Sequence, residues 1–156
     1  MTYYQDLSIC TYFDDYFKIK NLKAVGWLSK GQPYSKGKVP ERIILKIQTL
    51  LEEAWQPGGG FEGWHECELC EEPRNESIKN LFIPGDNLIY VSPEGILHYI
   101  EVHSYNPPEE YMSAVEECPR MKSPEYFERL KEIGGLEIQK AIKEISQHRI
   151  LFESKE

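Results

Sequence analysis

Two cysteines and two histidines, arranged as Cys67-x2-Cys70 and His98-x4-His103, are the feature that most restricts what this chain can fold into. Two thiolates separated by two residues can meet at one ion across a tight turn, and histidines three to five residues apart can complete a tetrahedral set. The 27 residues between the pairs are enough chain to bring a helix back over the cysteine turn. The spacing therefore predicts a structural Zn²⁺ site made by these four residues.

The histidine spacing sets a condition on the local backbone. Five residues along a regular α-helix rotate by about 500° and rise by about 7.5 Å, so His98 and His103 would not converge on one ion. Convergence requires the helix to tighten or to end near His103, and the SYNPP sequence that follows disfavours helix. We therefore predict a final 3₁₀ turn over residues 101–104.

The sequence leaves alternatives to this ligand set. His65 lies two residues before Cys67 and could replace one of the other histidines. Without a metal, each histidine would be an ordinary hydrogen-bonded structural residue. Cys10 and Cys118 have no Cys or His close by in the sequence, and we interpret them as small buried hydrophobic residues.

The pattern of apolar and turn-forming residues predicts several elements. Apolar residues at helical spacing predict an amphipathic helix from about Pro40 to Trp55. The segment LFIPGDNLIYV predicts a β-hairpin whose turn is Pro84–Asn87. Strands are also predicted over Lys23–Ser29 and over the residues that end at the cysteine pair. Three later helix starts are marked by a capping residue followed by proline, at Ser92, Asn106 and Ser123.

The order of these elements, strands mostly before helices, favours an α+β fold. We predict a small antiparallel sheet with a zinc knuckle, packed by the amphipathic helix and by C-terminal helices. Gly134-Gly135 is predicted to separate the last two helices. A length of 156 residues is typical of one domain, so we predict a single domain over 1–156, in which 120–156 form a C-terminal helical extension.

The charge distribution bears on partners and location. The net charge is −8, and residues 61–105 hold nine acidic and two basic side chains, a net charge of −7. Because nucleic-acid binding depends on Lys and Arg, this segment is not expected to bind a phosphate backbone. No apolar run approaches the roughly 20 residues of a membrane span, and the first residues lack the pattern of a secretory signal. We therefore expect a cytoplasmic protein that binds neither nucleic acid nor membrane.

Several stretches, including GWHECELC and YVSPEGILHYIEVHSYNPPEEYMSAV, resemble a family of small uncharacterised bacterial cytosolic proteins of unknown function. The resemblance covers residues 1 to about 117, and its most specific parts are the HxCxxC and HYIxxHxYxPP patterns. It implies metal-site roles for Cys67, Cys70, His98 and His103, with His65 beside them. It implies no activity.

The closed ligand set and the acidic surroundings guide the functional prediction. Four protein ligands leave no position for a catalytic water, and glutamates around the cysteine pair disfavour a redox-active thiolate, so we do not expect an enzyme. The prediction is a protein-interaction module, of a regulatory or immunity type, that binds a basic protein partner. The alternative is a zinc-dependent hydrolase with an open coordination position, in which Glu66 or Glu101 would act as acid or base.

Overall fold

A computed structural model of the chain describes residues 2–15, 18–57, 65–70, 76–77 and 79–153, with the backbone alone described at 65, 76–77 and 144–153. Five strands and four helices lie in these ranges. The strands are β1 (Leu22–Ala24), β2 (His65–Glu66), β3 (Glu76–Ser77), β4 (Asn80–Pro84) and β5 (Ile89–Pro93). The helices are α1 (Glu41–Glu52), α2 (Ile96–His103), α3 (Glu109–Glu117) and α4 (Pro124–Glu153).

The central sheet has three strands in the order β1-β5-β4. Strands β4 and β5 pair antiparallel, with Pro84 opposite Ile89, and the Gly85 N–H donates to the Leu88 carbonyl at 2.8 Å. A Cβ atom at Gly85 would lie 2.7 Å from the Tyr90 ring, so only glycine fits this turn without displacing that ring. The predicted hairpin is confirmed.

Strand β1 pairs parallel with β5, with Leu22 opposite Ile89. The α+β class is therefore confirmed, but the sheet is mixed, and the prediction of a wholly antiparallel sheet is corrected. A parallel pair needs a long crossover connection, and here α1 lies in the chain between the two strands. The strand predicted over Lys23–Ser29 is shorter than expected because Gly26, at φ +80°, turns the backbone out of the extended region.

Helix α1 confirms the predicted amphipathic helix, although it ends at Glu52 instead of Trp55. Pro40 is its N-cap, because proline's fixed φ suits the entry to a helix. The face that packs on the core is apolar and lies at helical spacing. Its buried residues are Ile43, Ile47, Leu50 and Leu51.

Of the three later helix starts predicted from the sequence, one is wrong, one is shifted and one is confirmed. Ser92 begins no helix, since β5 continues to Pro93 and the buried Ser92 hydroxyl is hydrogen-bonded to the Tyr111 hydroxyl at 2.9 Å. Helix α3 begins three residues after Asn106, with Pro108 as its N-cap and no side-chain cap. Ser123 is a cap as predicted, because its hydroxyl accepts a hydrogen bond from the Tyr126 N–H at 3.2 Å.

The largest fully buried side chains of the core are aromatic. Trp27 is fully buried and its ring N–H donates to the Val91 carbonyl at 2.9 Å. Helix α4 joins the same core through Tyr126, whose hydroxyl donates to the Phe82 carbonyl at 2.7 Å. Gly135 lies within α4 at φ +58° and interrupts it, near the predicted break between two helices. Among the described residues, no helix is both long and apolar enough to cross a membrane.

Candidate metal centre

The structure brings together all four side chains that the sequence pattern singled out. Cys67 follows the two-residue strand β2 directly, and Cys70 lies three residues further on. Strand β2 is held by antiparallel pairing with β3, in which His65 lies opposite Ser77. His98 and His103 both lie on α2. One ligand atom from each of the four side chains lies within 4.8 Å of all the others.

The sulfur–nitrogen distances fit a single ion between the four side chains. The Cys70 Sγ lies 3.2 Å from the His98 Nε2 and 3.4 Å from the His103 Nε2, and the Cys67 Sγ lies 3.4 Å from the same His103 nitrogen. In a tetrahedron with ordinary Zn–S and Zn–N bond lengths, sulfur and nitrogen are about 3.5 Å apart. The residues present could therefore hold a metal ion with soft sulfur and imidazole donors.

The cysteine turn also has the hydrogen bonds expected where a thiolate is stabilised. Burial raises the pKa of the Cys67 thiol, and the neighbouring Cys70 sulfur raises it further. The backbone N–H groups of Leu69 and Cys70 point at the Cys67 sulfur and lower this pKa, because they favour the anion. Cys67 is 3% exposed, whereas Cys70, His98 and His103 are half-buried.

Helix α2 ends at His103, as the histidine spacing required, but its last turn is wide and not tight. The Ser104 N–H donates to the Tyr99 carbonyl, five residues back, and Ser104 itself is left-handed at φ +55°. A hydrogen bond over five residues is the π-type pattern, which rotates less per residue than an α-helix. The predicted 3₁₀ turn is therefore wrong, and the wide turn brings the two imidazole centroids to 5.0 Å.

The residues that follow His103 are fixed to a loop that precedes α1. The Tyr34 hydroxyl donates a 3.0 Å hydrogen bond to the backbone carbonyl of His103. Two backbone hydrogen bonds join the same segments, Gly37 N–H to the Ser104 carbonyl at 3.0 Å and Asn106 N–H to the Ser35 carbonyl at 2.9 Å, and together they form a β-bridge between Lys36 and Tyr105. The loop 33–37 thus supports the end of α2 that carries a candidate ligand.

Tyr105 extends this support to the N-terminal segment. Its fully buried hydroxyl donates to the Asp6 carboxylate at 2.8 Å, and the Gly26 N–H donates to the other Asp6 oxygen at 3.0 Å. Burial raises the pKa of Asp6, and these two hydrogen bonds oppose the rise. Sequence reasoning did not connect Tyr34, Tyr105 and Asp6 with the site, because their contacts join residues far apart in the chain and no local pattern marks such pairs.

The electrostatics around His98 favour its neutral form, which is the form that binds metals. Burial lowers the pKa of His98, and the proximity of His103 lowers it further because two imidazolium charges would repel. The Glu101 carboxylate acts in the opposite direction. A neutral imidazole presents the lone pair that a metal requires.

The other residues that the sequence singled out lie outside the four-residue cluster or outside the described side chains. The His65 side chain lies outside the described residues, so its competing role as a ligand stays a prediction. Glu66 and Glu101 are both exposed. Cys10 and Cys118 are buried at 1% and 3% exposure, as interpreted from the sequence, and burial raises the pKa of each thiol to about 11.

The fold and the site define a small α+β protein with a two-cysteine, two-histidine cluster. The chain belongs to the family of DUF7919, a domain of unknown function, whose model matches residues 2–116. The resemblance to an uncharacterised family is thereby confirmed, and the match ends before α4 begins at Pro124. Comparison with curated proteins and with solved structures finds no match.

Proposed function

We propose that the domain binds one structural Zn²⁺ ion through Cys67, Cys70, His98 and His103. The observation that carries this proposal is the convergence of two sulfur and two nitrogen atoms within 4.8 Å from two elements that are separate in sequence. This donor set suits Zn²⁺, and four protein ligands fill a tetrahedral shell. The ion would join the β2 segment to α2, so its binding energy would stabilise the fold.

We further propose that this zinc-stabilised domain is a protein-interaction module, cytoplasmic and of a regulatory or immunity type, for a basic protein partner. The net charge of −7 over residues 61–105 supports a partner of opposite charge. On α2, the exposed Glu101 is followed by Val102, whose side chain is 58% exposed. The acidic charge of this helix would attract a basic partner, and the exposed Val102 offers apolar surface for contact.

A pull-down from a native-host lysate tests the interaction, with Glu101→Lys and Glu125→Lys as a matched pair. Both positions are exposed and undergo the same charge reversal, but Glu125 lies in the first turn of α4. We expect a partner that is retained at low salt, released as salt rises, and lost with Glu101→Lys only. Capture that is insensitive to salt and equal for both variants would contradict the proposal.

The alternative, a zinc-dependent hydrolase, is favoured by one observation, the partial exposure of Cys70, His98 and His103. Such an enzyme needs an open coordination position, so that one of the four side chains gives way to a water. The exposed Glu66 or Glu101 would then be the acid or base. A zinc absorption spectrum that includes an oxygen ligand would support the hydrolase and oppose the structural role.

A further inference from the structure

A pocket of about 300 Å³ lies beside the loop that supports His103. Three tyrosines, Tyr3, Tyr4 and Tyr34, line it together with Asp6. A tyrosine ring attracts a cation through its quadrupole, and several rings around one carboxylate are typical of sites that bind organic ammonium groups. The carboxylate at the same time disfavours an anionic ligand.

The walls of this pocket are fixed before any ligand arrives. The Tyr4 ring packs edge-on against Trp27, with centroids 5.4 Å apart, and the Tyr4 hydroxyl is hydrogen-bonded to the Thr11 hydroxyl at 3.1 Å. Asp6 accepts its two hydrogen bonds from the Gly26 N–H and the Tyr105 hydroxyl. A fixed site loses little conformational entropy on binding, which favours even a small ligand.

The ring of Tyr34 already accepts a cation within this chain. The Lys36 ammonium lies 5.4 Å from the centroid of the Tyr34 ring. Lys36 is exposed and is not among the residues that line the pocket. Its charge would repel an incoming ammonium, so replacing it with a neutral side chain is expected to strengthen binding.

We propose that this pocket binds the ammonium group of a lysine side chain on the protein partner. The inference rests on the proposed interaction function, and it names the chemical group that the domain recognises. The volume of about 300 Å³ is at the lower end of the range for small-ligand sites, and a partner that complements the acidic residues 61–105 would carry such groups.

The pocket and the candidate metal centre share a structural support. Tyr34 lines the pocket and bonds the His103 carbonyl, while Asp6 bonds the hydroxyl of Tyr105, two residues after His103. If a bound metal holds His103 in place, it also helps to hold Tyr34 and Asp6, which line the pocket. Removal of the metal is therefore expected to weaken lysine binding, although Tyr34 contacts the backbone carbonyl of His103 and not its imidazole ring.

A titration followed by nuclear magnetic resonance tests the proposal on the full chain. The probes are a blocked Gly-Lys-Gly peptide, the same peptide with norleucine in place of lysine, and tetramethylammonium. We expect the lysine peptide to bind with a Kd of about 1 mM and the norleucine peptide not to bind. Equal binding of the two peptides, or binding of tetramethylammonium alone, would overturn the proposal.

Substitutions locate the binding and separate it from folding. Asp6→Asn and Tyr3→Leu are each expected to weaken lysine-peptide binding at least about fivefold, a change of about 1 kcal/mol. Asp14→Asn removes the same charge from an exposed site in the same segment and should leave binding unchanged. Lys36→Met should strengthen it. Unchanged affinity in both Asp6→Asn and Tyr3→Leu would overturn the assignment.

Zinc content measured on the same samples distinguishes the two proposals. Loaded protein that fails to bind the lysine peptide refutes the pocket assignment and leaves the metal function standing. Protein that takes up no zinc refutes the metal function, and the lysine titration on that protein still decides the pocket. If the affinity for the lysine peptide were the same with and without chelator, the expected dependence of the pocket on the metal would be wrong.

Discussion

The Tyr34 hydroxyl and the His103 backbone carbonyl are joined by a 3.0 Å hydrogen bond between residues 69 positions apart. This bond links the candidate metal centre to the loop 33–37 and, through it, to the tyrosine-lined pocket. His103 is therefore held from both sides, by its ring facing the two cysteine sulfurs and by its carbonyl facing Tyr34.

Tyr34→Phe removes this hydrogen bond and keeps the ring. Loss of one such bond costs about 1 kcal/mol of folding stability, since the His103 carbonyl loses its partner. Because the bond helps to position His103, zinc affinity should fall by about fivefold. Competition with a coloured chelator measures this affinity. An affinity equal to that of the wild-type protein would contradict a positioning role for Tyr34.

Cys67→Ser should destabilise the domain much more than a substitution at another buried cysteine. Zinc binding energy is folding energy, so we expect a loss of about 3 kcal/mol or more and a fall in Tm of roughly 6 to 12 °C. Excess chelator should have the same effect on the wild-type protein. Thermal unfolding followed by circular dichroism measures both.

Cys10→Ser is the matched control, because Cys10 is buried but lies outside the cluster. It should cost about 1 kcal/mol, from burial of a hydroxyl, and leave zinc content unchanged. If Cys10→Ser and Cys67→Ser lowered Tm equally, the special role of Cys67 would be refuted.

Ser104 provides a test of the wide helix end. Its backbone is left-handed at φ +55°, a conformation that costs non-glycine residues energy. Ser104→Gly should therefore stabilise the domain by up to about 1 kcal/mol, while Ser104→Val should destabilise it, because a β-branched side chain fits this region poorly. Denaturant unfolding measures the change. A less stable glycine variant would contradict this backbone geometry.

Asp6 predicts a specific pH dependence of stability. Burial raises its pKa in the folded chain above the unfolded value near 3.9. The folded state therefore binds the proton more tightly, and stability rises, relative to Asp6→Asn, as pH falls through the folded pKa of Asp6. The measurement is the difference in unfolding free energy between the two proteins at successive pH values below 7. A difference that moved the other way would contradict the raised pKa.

Much of the fold could be predicted from local patterns. The apolar spacing of α1 and the Pro-Gly turn of the hairpin are properties of short segments, and both elements form as predicted. The parallel pairing of β1 was missed because it depends on a long crossover that no local pattern encodes. Pro93 was predicted to begin a helix, but it lies in β5, because pairing with β4 extends that strand through Pro93. This pairing is also a tertiary interaction.

The candidate site shows the same division. The four cysteines and histidines were visible as spaced pairs, and the need for a helix end at His103 followed from helix geometry alone. Helix geometry did not indicate whether the last turn of α2 would be tight or wide, because either kind of turn changes the rotation per residue. The wide turn is accompanied by the backbone contacts of Ser104 and Tyr105 with the loop 33–37, which are tertiary interactions.

The central claim is that two sulfur and two imidazole nitrogen atoms bind one zinc ion and close its coordination shell. X-ray absorption at the zinc edge, with metal analysis of the same purified protein, tests it most directly. We predict one zinc per chain, two Zn–S distances of about 2.3 Å and two Zn–N distances of about 2.0 to 2.1 Å. Less than half an equivalent of zinc, an oxygen ligand, or an unchanged spectrum in a variant with His98→Ala and His103→Ala together would contradict the claim.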